Sequence, residues 1–345
     1  MRAGLVTGRR QFELIDVAEP TPNDDGVVVE VQLCGVCGSD IHAYVDGWDY
    51  PPCLCGHEWI GKVVATGPAV TSITEGDLVM GGLSPGCGAC TYCVAGHTHY
   101  CKTAARAYNG LVEGASPHGG FAPYLGADAN RLALLPPDIS SVQGALVEPT
   151  AVAFHAVRQS RQTPGDTVAV VGAGPIGLLT AMCSKLAGAA TVIVVEPNAD
   201  RRAMALQLGA DIALDSGPDT RSEVRSLTKG VGVDLAYDAA GIPATLEASI
   251  DLVRRGGSVC MVGVSSHPTE VRTNRWMTKE LTITTSFVFT LAEATTVAGL
   301  IVDGRLGVEP LHQATVDLDG LPATIEALAS RELDALKVLV DPTAG

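Results

Sequence analysis

The chain contains the sequence VAVVGAGPIG at residues 168–177, where a β-branched run leads into three closely spaced glycines. The pattern G-x-G-x-x-G, placed between a strand and a helix that runs to about residue 187, is typical of a dinucleotide-binding turn; without that context it could be a plain glycine turn. We expect Gly172 to permit the tight turn, Gly174 to admit a pyrophosphate and Gly177 to let the helix pack closely on the sheet. The helix N-terminus then faces the phosphate charge.

The residues beyond this turn bear on the choice of dinucleotide. Glu196 ends the next predicted strand, nineteen residues after Gly177. A carboxylate there accepts hydrogen bonds from both adenosine ribose hydroxyls and repels a 2′-phosphate, so it favours NAD over NADP. Arg201 and Arg202 leave the alternative open, because guanidinium groups at this position could stack on adenine, hold a phosphate or face solvent.

The segment after about residue 150 alternates short β-branched runs with alanine- and leucine-rich stretches of helical spacing. This alternation predicts βαβ units and a doubly wound parallel sheet, the α/β Rossmann class. The expected strands are residues 167–171, 191–195, 234–238, 258–262 and 281–286. The expected cofactor-binding residues are Gly172, Gly174, Pro175, Ile176, Gly177, Glu196 and Arg201.

Length and composition predict two well-packed domains. A chain of 345 residues exceeds the usual size of one core, and 46% hydrophobic with 18% charged residues indicates extensive burial. The β-branched runs at residues 27–33 and 61–66 predict that the first domain is β-rich. A formal charge of -15 argues against nucleic acid as a partner. There is no apolar signal core, and Lys185 interrupts the longest apolar stretch, so we expect a soluble, cytoplasmic protein without a membrane partner.

Four cysteines in a glycine-containing loop have the spacing of a metal site. Cys87, Cys90, Cys93 and Cys101 are separated by two, two and seven residues. Thiolates at such intervals on a turning backbone can converge on one structural zinc ion, and two disulfides are the alternative. His97 and His99 flank the approach to Cys101; we expect both at the surface, because four thiolates already complete a tetrahedron.

A second set of residues has the mixed chemistry of a catalytic metal site. Cys37 and His57 lie on either side of an irregular aromatic loop, and the third ligand could be Glu58 or Glu148. Catalytic zinc keeps three protein ligands and one open position, where the ion polarises oxygen as a Lewis acid. Each residue alone is ambiguous, because His-Glu pairs are common at surfaces and in cores, and Cys34 with Cys37 could form a redox pair.

These motifs occur in a recognisable order. They are CGSD at residues 37–40 with His42, GHE at residues 56–58, the four cysteines, Glu148-Pro149, and the glycine turn with Glu196. The order resembles that of the zinc-dependent medium-chain alcohol dehydrogenases over essentially the whole chain, and Glu148 favours the polyol, sorbitol, threonine and butanediol dehydrogenase branch. The resemblance implies a catalytic zinc on Cys37, His57 and Glu148, with Glu58 as an alternating or outer ligand, and a structural zinc on the four cysteines.

The resemblance also implies a proton path and a reaction. Ser39 would hydrogen-bond the alcohol, His42 would pass the proton to solvent, and Asp40 would orient His57. The reaction is then oxidation of a secondary alcohol, such as a polyol, cyclitol or amino alcohol, to the ketone, with hydride transfer to NAD. Ser39 could instead be a turn serine and His42 a surface histidine.

The substrate is less closely specified. The loop before His57 carries aromatic residues together with Asp46 and Asp49. Such walls suit a hydroxylated or amine-bearing alcohol, unless both aspartates face water.

The expected architecture is a β-rich, GroES-like catalytic domain interrupted by the Rossmann domain. Residues 1–149 and 288–345 form the first, which carries both zinc sites, and residues 150–287 form the second, so the active site falls in the cleft between them. The strand at residues 281–286 resembles the edge that pairs subunits in this family, which implies a homodimer or homotetramer. Two rival functions are a zinc-free quinone or enone reductase and a non-catalytic NAD-binding protein.

Overall fold

The computed structural model describes residues 1–82, 86–102, 117–265 and 268–344. The chain separates into two compact units. Unit 1 comprises Met1–Glu148, Val288–Gly304 and Val308–Gly345, and unit 2 comprises Pro149–Phe287 and Arg305–Gly307. In sequence, unit 2 is therefore an insertion within unit 1.

The elements of the described residues are numbered in chain order. The strands are β1 (Arg2–Gly8), β2 (Gln11–Asp16), β3 (Gly26–Gly35), β4 (Glu58–Thr66), β5 (Leu78–Gly81), β6 (Tyr124–Asp128), β7 (Leu132–Leu134), β8 (Thr167–Val171), β9 (Thr191–Val195), β10 (Ile212–Leu214), β11 (Val233–Asp238), β12 (Val253–Met261), β13 (Thr282–Thr285), β14 (His312–Asp317) and β15 (Lys337–Asp341). The helices are α1 (Gly38–Asp46), α2 (Thr91–Val94), α3 (Ser141–Ala145), α4 (Val147–Gln159), α5 (Pro175–Leu186), α6 (Ala199–Gln207), α7 (Thr220–Leu227), α8 (Pro243–Leu252), α9 (Thr273–Lys279), α10 (Leu291–Val302) and α11 (Leu321–Ser330).

Unit 2 is built on a parallel sheet. Its strand order is β10-β9-β8-β11-β12-β13, and each neighbouring pair is parallel. The expected strands at residues 167–171 and 191–195 coincide with β8 and β9, whose β-branched side chains are almost entirely buried, as strands covered on both faces require. The chain direction across the sheet reverses between β8 and β11, which places the loop after β8 at the switch point where dinucleotides bind. The α/β class is confirmed.

Unit 1 contains a mixed sheet and a separate hairpin of β1 and β2. The sheet has the order β14-β15-β3-β4-β5-β7, and β6 also pairs with β3. Gly35, at the end of β3, pairs with Leu339 of β15 on one side and with Glu58 of β4 on the other. The starts of β4 and β15 therefore meet at the same end of this sheet, although they lie far apart in sequence.

Each unit buries its own apolar core. In unit 1 the core follows β3 and β4 and includes Val29, Val31 and Trp59. In unit 2 it lies against the parallel strands and includes Ile193, Ala236 and Ile250. None of the helices in the described ranges combines the length and the apolarity that a membrane span needs.

Candidate active site

Cys37 is held at the start of α1 by a local turn. It is the N-cap residue of that helix, with extended backbone angles. The Asp40 carboxylate reaches back and accepts a hydrogen bond from the Cys37 backbone N–H at 2.9 Å, the arrangement of a capping box. Gly47 ends the helix with a φ of 72°, a left-handed conformation that suits glycine. The CGSD sequence thus positions Cys37 through contacts within four consecutive residues.

His57 is oriented by a second turn. A short 3-10 helix, Pro52–Leu54, directs the carbonyl of Leu54 at the imidazole, and its oxygen lies 2.9 Å from Nδ1 of His57. Nδ1 therefore carries the proton and donates to Leu54, which leaves Nε2 with a free lone pair for a metal. Gly56 adopts a φ of 73°, and a side chain there would collide with Phe121.

Cys37, His57 and Glu58 form one group, here called the mixed cluster. Their ligand atoms all lie within 4.8 Å of one another. His57 and Glu58 are buried, with 9% and 1% of their surface exposed. A thiolate, an imidazole and a carboxylate at such distances are the donor set that zinc takes in catalytic sites, and Cys37 is half-buried beside its two buried neighbours.

Glu58 has a partner of opposite charge. The ammonium of Lys337, at the start of β15, donates to both carboxylate oxygens of Glu58 at 2.7 and 2.5 Å and to the carbonyl of Val36 at 3.1 Å. Both side chains are almost fully buried. Burial alone lowers the pKa of Lys337, but Glu58 and the neighbouring Cys37 outweigh it and raise this pKa. The ion pair occupies both oxygens of Glu58.

Glu148 is a second buried carboxylate beside this group. It lies at the start of α4 with 2% of its surface exposed. No hydrogen bond or ion pair within the described residues reaches its carboxylate, and burial, reinforced by the charge of Glu58, raises the pKa of Glu148 to about 8. Asp40 adds a further carboxyl group to this neighbourhood. Because burial disfavours the ionised forms of Asp40 and Glu148, a bound cation would stabilise them, and the soft and hard donors together fit a divalent zinc ion.

The hydroxyl of Ser39 lies within a hydrogen-bonded network. Its Oγ is 3.2 Å from the phenol oxygen of Tyr50, and that phenol donates to Asp40 at 3.0 Å. Asp40 is fully buried, and burial raises its pKa. Nδ1 of His57 lies against the backbone carbonyl of Leu54, and the charge of Asp40 raises the pKa of His57 against the effect of burial. That Asp40 orients His57 stays a prediction.

His42 has neighbours that fix its ring. The imidazole stacks on Trp48 with centroids 5.6 Å apart and planes 9° apart. Its Nδ1 lies 3.8 Å from the carboxylate of Asp46, one turn further along α1. About half of the side chain is exposed, so a proton that reached His42 could leave to water.

The four-cysteine lobe, defined by Cys87, Cys90, Cys93 and Cys101, converges as its spacing predicted. The four sulfur atoms lie within 4.8 Å of one another. All ten cysteines of the chain fall in the described ranges, and none of them forms a disulfide, so the alternative of two disulfides is not realised. Backbone N–H groups donate to Sγ of Cys87 and of Cys101 at 3.4 Å. His97 is exposed as expected, but the surface position expected for His99 is wrong, because His99 is buried against Tyr100.

The glycine turn of unit 2 has three glycines with three different surroundings. Gly172 adopts a φ of 98°, which a side chain would strain. A side chain on Gly174 would meet no atom within 4 Å, so the backbone there is open to a ligand. A side chain on Gly177 would overlap the carbonyl oxygen of Gly172, because helix and turn are in close contact. Pro175 and Ile176 form the first turn of α5 beside this open space.

Glu196 lies directly after β9, with its carboxylate aimed back at the glycine turn. Its oxygens accept from the backbone N–H groups of Ala173 at 2.7 Å and of Asn198 at 3.0 Å. Arg202 donates through Nη1 to the backbone carbonyl oxygens of Glu196 and Pro197. Arg201 lies in the first turn of α6, where its backbone N–H binds the capping side chain of Asn198.

Two residues of the site were missed in reading the sequence. Tyr50 precedes two prolines, which hold the chain extended before Pro52–Leu54, and that stiffness was a usable signal. Lys337 gave no signal, because a lysine in a β-branched run is indistinguishable from one that faces solvent.

The fold and the donor set together define a class of protein, a metal-dependent oxidoreductase with a dinucleotide-binding unit. Two family models match the chain, one described as "Alcohol dehydrogenase GroES-like domain" over residues 23–137 and the other as "Zinc-binding dehydrogenase" over residues 175–303. The chain belongs to the zinc-type medium-chain alcohol dehydrogenase family. It is therefore an alcohol dehydrogenase that uses a nicotinamide cofactor, and the two rival functions are not favoured.

Individual relatives agree with this family. Sorbitol dehydrogenase of Bacillus subtilis (strain 168) is 33% identical over 274 residues, which cover 77% of this chain and 76% of that protein. (R,R)-butanediol dehydrogenase of the same organism is 32% identical over 99% of this chain and 100% of that protein. A solved structure described as a zinc-binding dehydrogenase of Sinorhizobium meliloti 1021, bound to NADP, has a TM-score of 0.86 at 30% identity and covers 99% of both chains.

Proposed function

We propose that this protein oxidises a hydroxylated secondary alcohol, a polyol, cyclitol or amino alcohol, to its ketone with NAD. The observation that carries the proposal is the mixed cluster together with the Ser39 hydroxyl, which is linked to Cys37 through Tyr50 and Asp40. A metal donor set and a proton-accepting hydroxyl in one network are the two parts that alcohol oxidation requires of the protein.

The proposal includes two zinc ions for each chain. Cys37, His57 and Glu148 would hold the catalytic ion, and Glu58, whose two oxygens also accept from Lys337, would be an alternating or outer ligand. Zinc bound there supplies the Lewis acidity that polarises the alcohol oxygen. The four-cysteine lobe holds the second ion, for which four thiolates form a closed, structural site.

The side chains of unit 1 handle the proton. Ser39 would take the hydroxyl proton of the alcohol as it gives up its own, and His42, half exposed beside Asp46, would release a proton to water. Trp48 keeps the His42 ring in place by stacking. The Asp40 carboxylate accepts a hydrogen bond from the backbone N–H of Cys37 and so holds Cys37 in place.

The dinucleotide-binding residues support NAD over NADP. The carboxylate of Glu196 is pinned by two backbone N–H groups, so it cannot swing away from an incoming 2′-phosphate, and its negative charge would repel that group. The Nη1 group of Arg202 already donates to two carbonyl oxygens. The solved structure of one relative contains NADP, so the screen below compares both cofactors.

The substrate class and the assembly rest on further features. Relatives named for sorbitol and for (R,R)-butanediol support an alcohol with neighbouring hydroxyl groups. In the described sheet of unit 2, β13 is an edge strand, and such an edge can pair with the same strand of a second copy. We propose a homodimer or homotetramer on this basis.

The decisive experiment is a screen for reduced cofactor at 340 nm. The purified protein, with its zinc content measured, is supplied with sorbitol, (R,R)-2,3-butanediol, L-threonine, myo-inositol, an amino-cyclitol and 2-propanol, each with NAD and with NADP. We expect turnover of at least one polyhydroxyl or amino alcohol, faster than that of 2-propanol and faster with NAD. Reduction of quinones or enones without oxidation of any alcohol would overturn the proposal.

A further inference from the structure

Tyr50 connects the two parts of the proposed active site through a single oxygen atom. Its phenol oxygen lies 3.2 Å from Oγ of Ser39, 3.0 Å from Oδ1 of Asp40 and 3.4 Å from Nδ1 of His57. The carbonyl of Leu54 is also 3.4 Å away. These contacts raise the question of which group donates to which.

The chemistry of the partners settles the direction of each hydrogen bond. A phenol has one proton, and the nearest acceptor is the carboxylate of Asp40, which accepts only and gives the stronger, charge-assisted bond. The Asp40 carboxylate is also an acceptor toward the backbone: it accepts hydrogen bonds from the N–H groups of Cys37 and Gly56. The phenol proton of Tyr50 therefore lies on the side of Asp40.

The Ser39 hydroxyl must then be the donor to Tyr50. With its proton used toward Asp40, the phenol oxygen is left with lone pairs only, and Ser39 lies at hydrogen-bond distance. The His57 Nδ1–H is already directed to Leu54 at 2.9 Å and does not compete for the phenol. The proton of Ser39 points at Tyr50, and its lone pairs point elsewhere.

We propose that Tyr50 is a positioning residue that turns the Ser39 hydroxyl so that a lone pair faces the alcohol proton. This inference rests on the proposed function, in which Ser39 accepts that proton. Without the phenol, Ser39 can rotate freely, and its hydroxyl would present a proton or a lone pair to the substrate without preference.

The local sequence makes Tyr50 rigid enough for this role. Pro51 follows it with a φ of -57° and a ψ of 131°, and Pro52 opens the turn Pro52–Leu54. Proline restricts the residue before it to extended conformations, so the backbone of Tyr50 has little freedom. The segment from Tyr50 to Leu54 thus positions the hydroxyl of Ser39 with one end and the ring of His57 with the other.

The test is a double-mutant cycle with Tyr50→Phe, Ser39→Ala and the double variant, using the alcohol that the screen shows to be turned over fastest. Tyr50→Phe should lower kcat about tenfold and leave the KM for the alcohol near its original value, since one orienting hydrogen bond is lost while binding is retained. In the Ser39→Ala background the same change should alter kcat by less than about twofold, because no hydroxyl remains to be turned.

Tyr44→Phe is the matched control. Tyr44 also lies on this part of unit 1, but its phenol donates to Glu326 of α11 and not to Ser39. The control should keep kcat. Zinc content and the visible absorption of the cobalt-substituted protein should be the same in Tyr50→Phe as in the original protein, because the metal ligands are untouched.

The outcomes separate this proposal from the one on which it rests. If no alcohol is turned over, or if Ser39→Ala leaves kcat unchanged, the proposed function or its proton path fails, and the role of Tyr50 fails with it. If Ser39→Ala lowers kcat but Tyr50→Phe does not, or if the two effects are independent, only the role of Tyr50 is overturned. A changed cobalt spectrum in Tyr50→Phe would also overturn it, because Tyr50 would then act through His57.

Discussion

The mixed cluster and the four-cysteine lobe lie in the same unit, and both bring metal-ligating side chains within 4.8 Å of one another. The lobe is made locally: Cys87 is partly solvent-exposed, its sulfur accepts from a backbone N–H three residues away, and the most distant partner lies fourteen residues along the chain. The mixed cluster is buried, and Glu58 meets its counter-charge on Lys337, 279 residues later. One site is formed by a loop and the other by the whole unit.

This difference separates two uses of a metal. Local thiolates without other support form a closed shell that needs the ion in order to stay together. A cluster held by a helix cap, a turn and a buried ion pair keeps its shape through the fold, which leaves the metal free to do chemistry. The predictions below test whether the two sites divide in this way.

The largest expected effect is on turnover, from Cys37→Ser. Loss of the thiolate should remove the catalytic metal and lower kcat by about 10⁴-fold, since metal polarisation contributes several kcal/mol. Binding of NADH, measured by its fluorescence, should stay near the original affinity because the glycine turn is in unit 2. If Cys37→Ser kept its turnover, the mixed cluster could not be the catalytic site that distinguishes it from the four-cysteine lobe.

The next effect is on folding, from Lys337→Met. This change leaves Glu58 as an unpaired buried charge, and breaking a buried ion pair costs about 3–5 kcal/mol in the free energy of unfolding. Urea unfolding measures this cost. The double variant Lys337→Met with Glu58→Gln should recover most of the lost stability, because the uncompensated charge is gone. Equal instability of the single and the double variant would show that the lysine contributes by packing and not by charge.

The smallest effect on turnover is expected from Cys93→Ser in the lobe. Metal analysis should show one zinc lost for each chain and a lowered Tm, since a closed thiolate site contributes directly to folding. The kcat of the folded fraction, normalised to NADH-binding sites, should change by less than about twofold. Lost turnover in a variant that keeps its zinc content and its Tm would mean that the lobe takes part in catalysis.

The sequence was informative where structure is local. β8 and β9 were predicted because buried parallel strands are continuous β-branched runs with turns at both ends. β10 was not expected, since its three residues at the sheet edge are too few to form a pattern. The convergence of the four-cysteine lobe was predicted for the same local reason, because its four ligands follow one another at short intervals.

Features that depend on contacts between distant residues could not be predicted from the sequence. Nothing near Lys337 indicates that it is buried, because its partner Glu58 lies on another strand. Tyr50 was counted only among loop aromatics, since its contact with Ser39 depends on how two turns meet.

The distance in sequence between Glu58 and Lys337 has a consequence for biosynthesis. A ribosome that adds about 5–20 residues per second needs roughly 14–56 s to make the 279 residues between them. During that time Cys37, His57 and Glu58 have already left the ribosome, and the strand that neutralises Glu58 does not yet exist. The four cysteines of the lobe are synthesised long before Lys337, so the lobe can form first, and the ion pair beside the mixed cluster can form only after unit 2 has been synthesised.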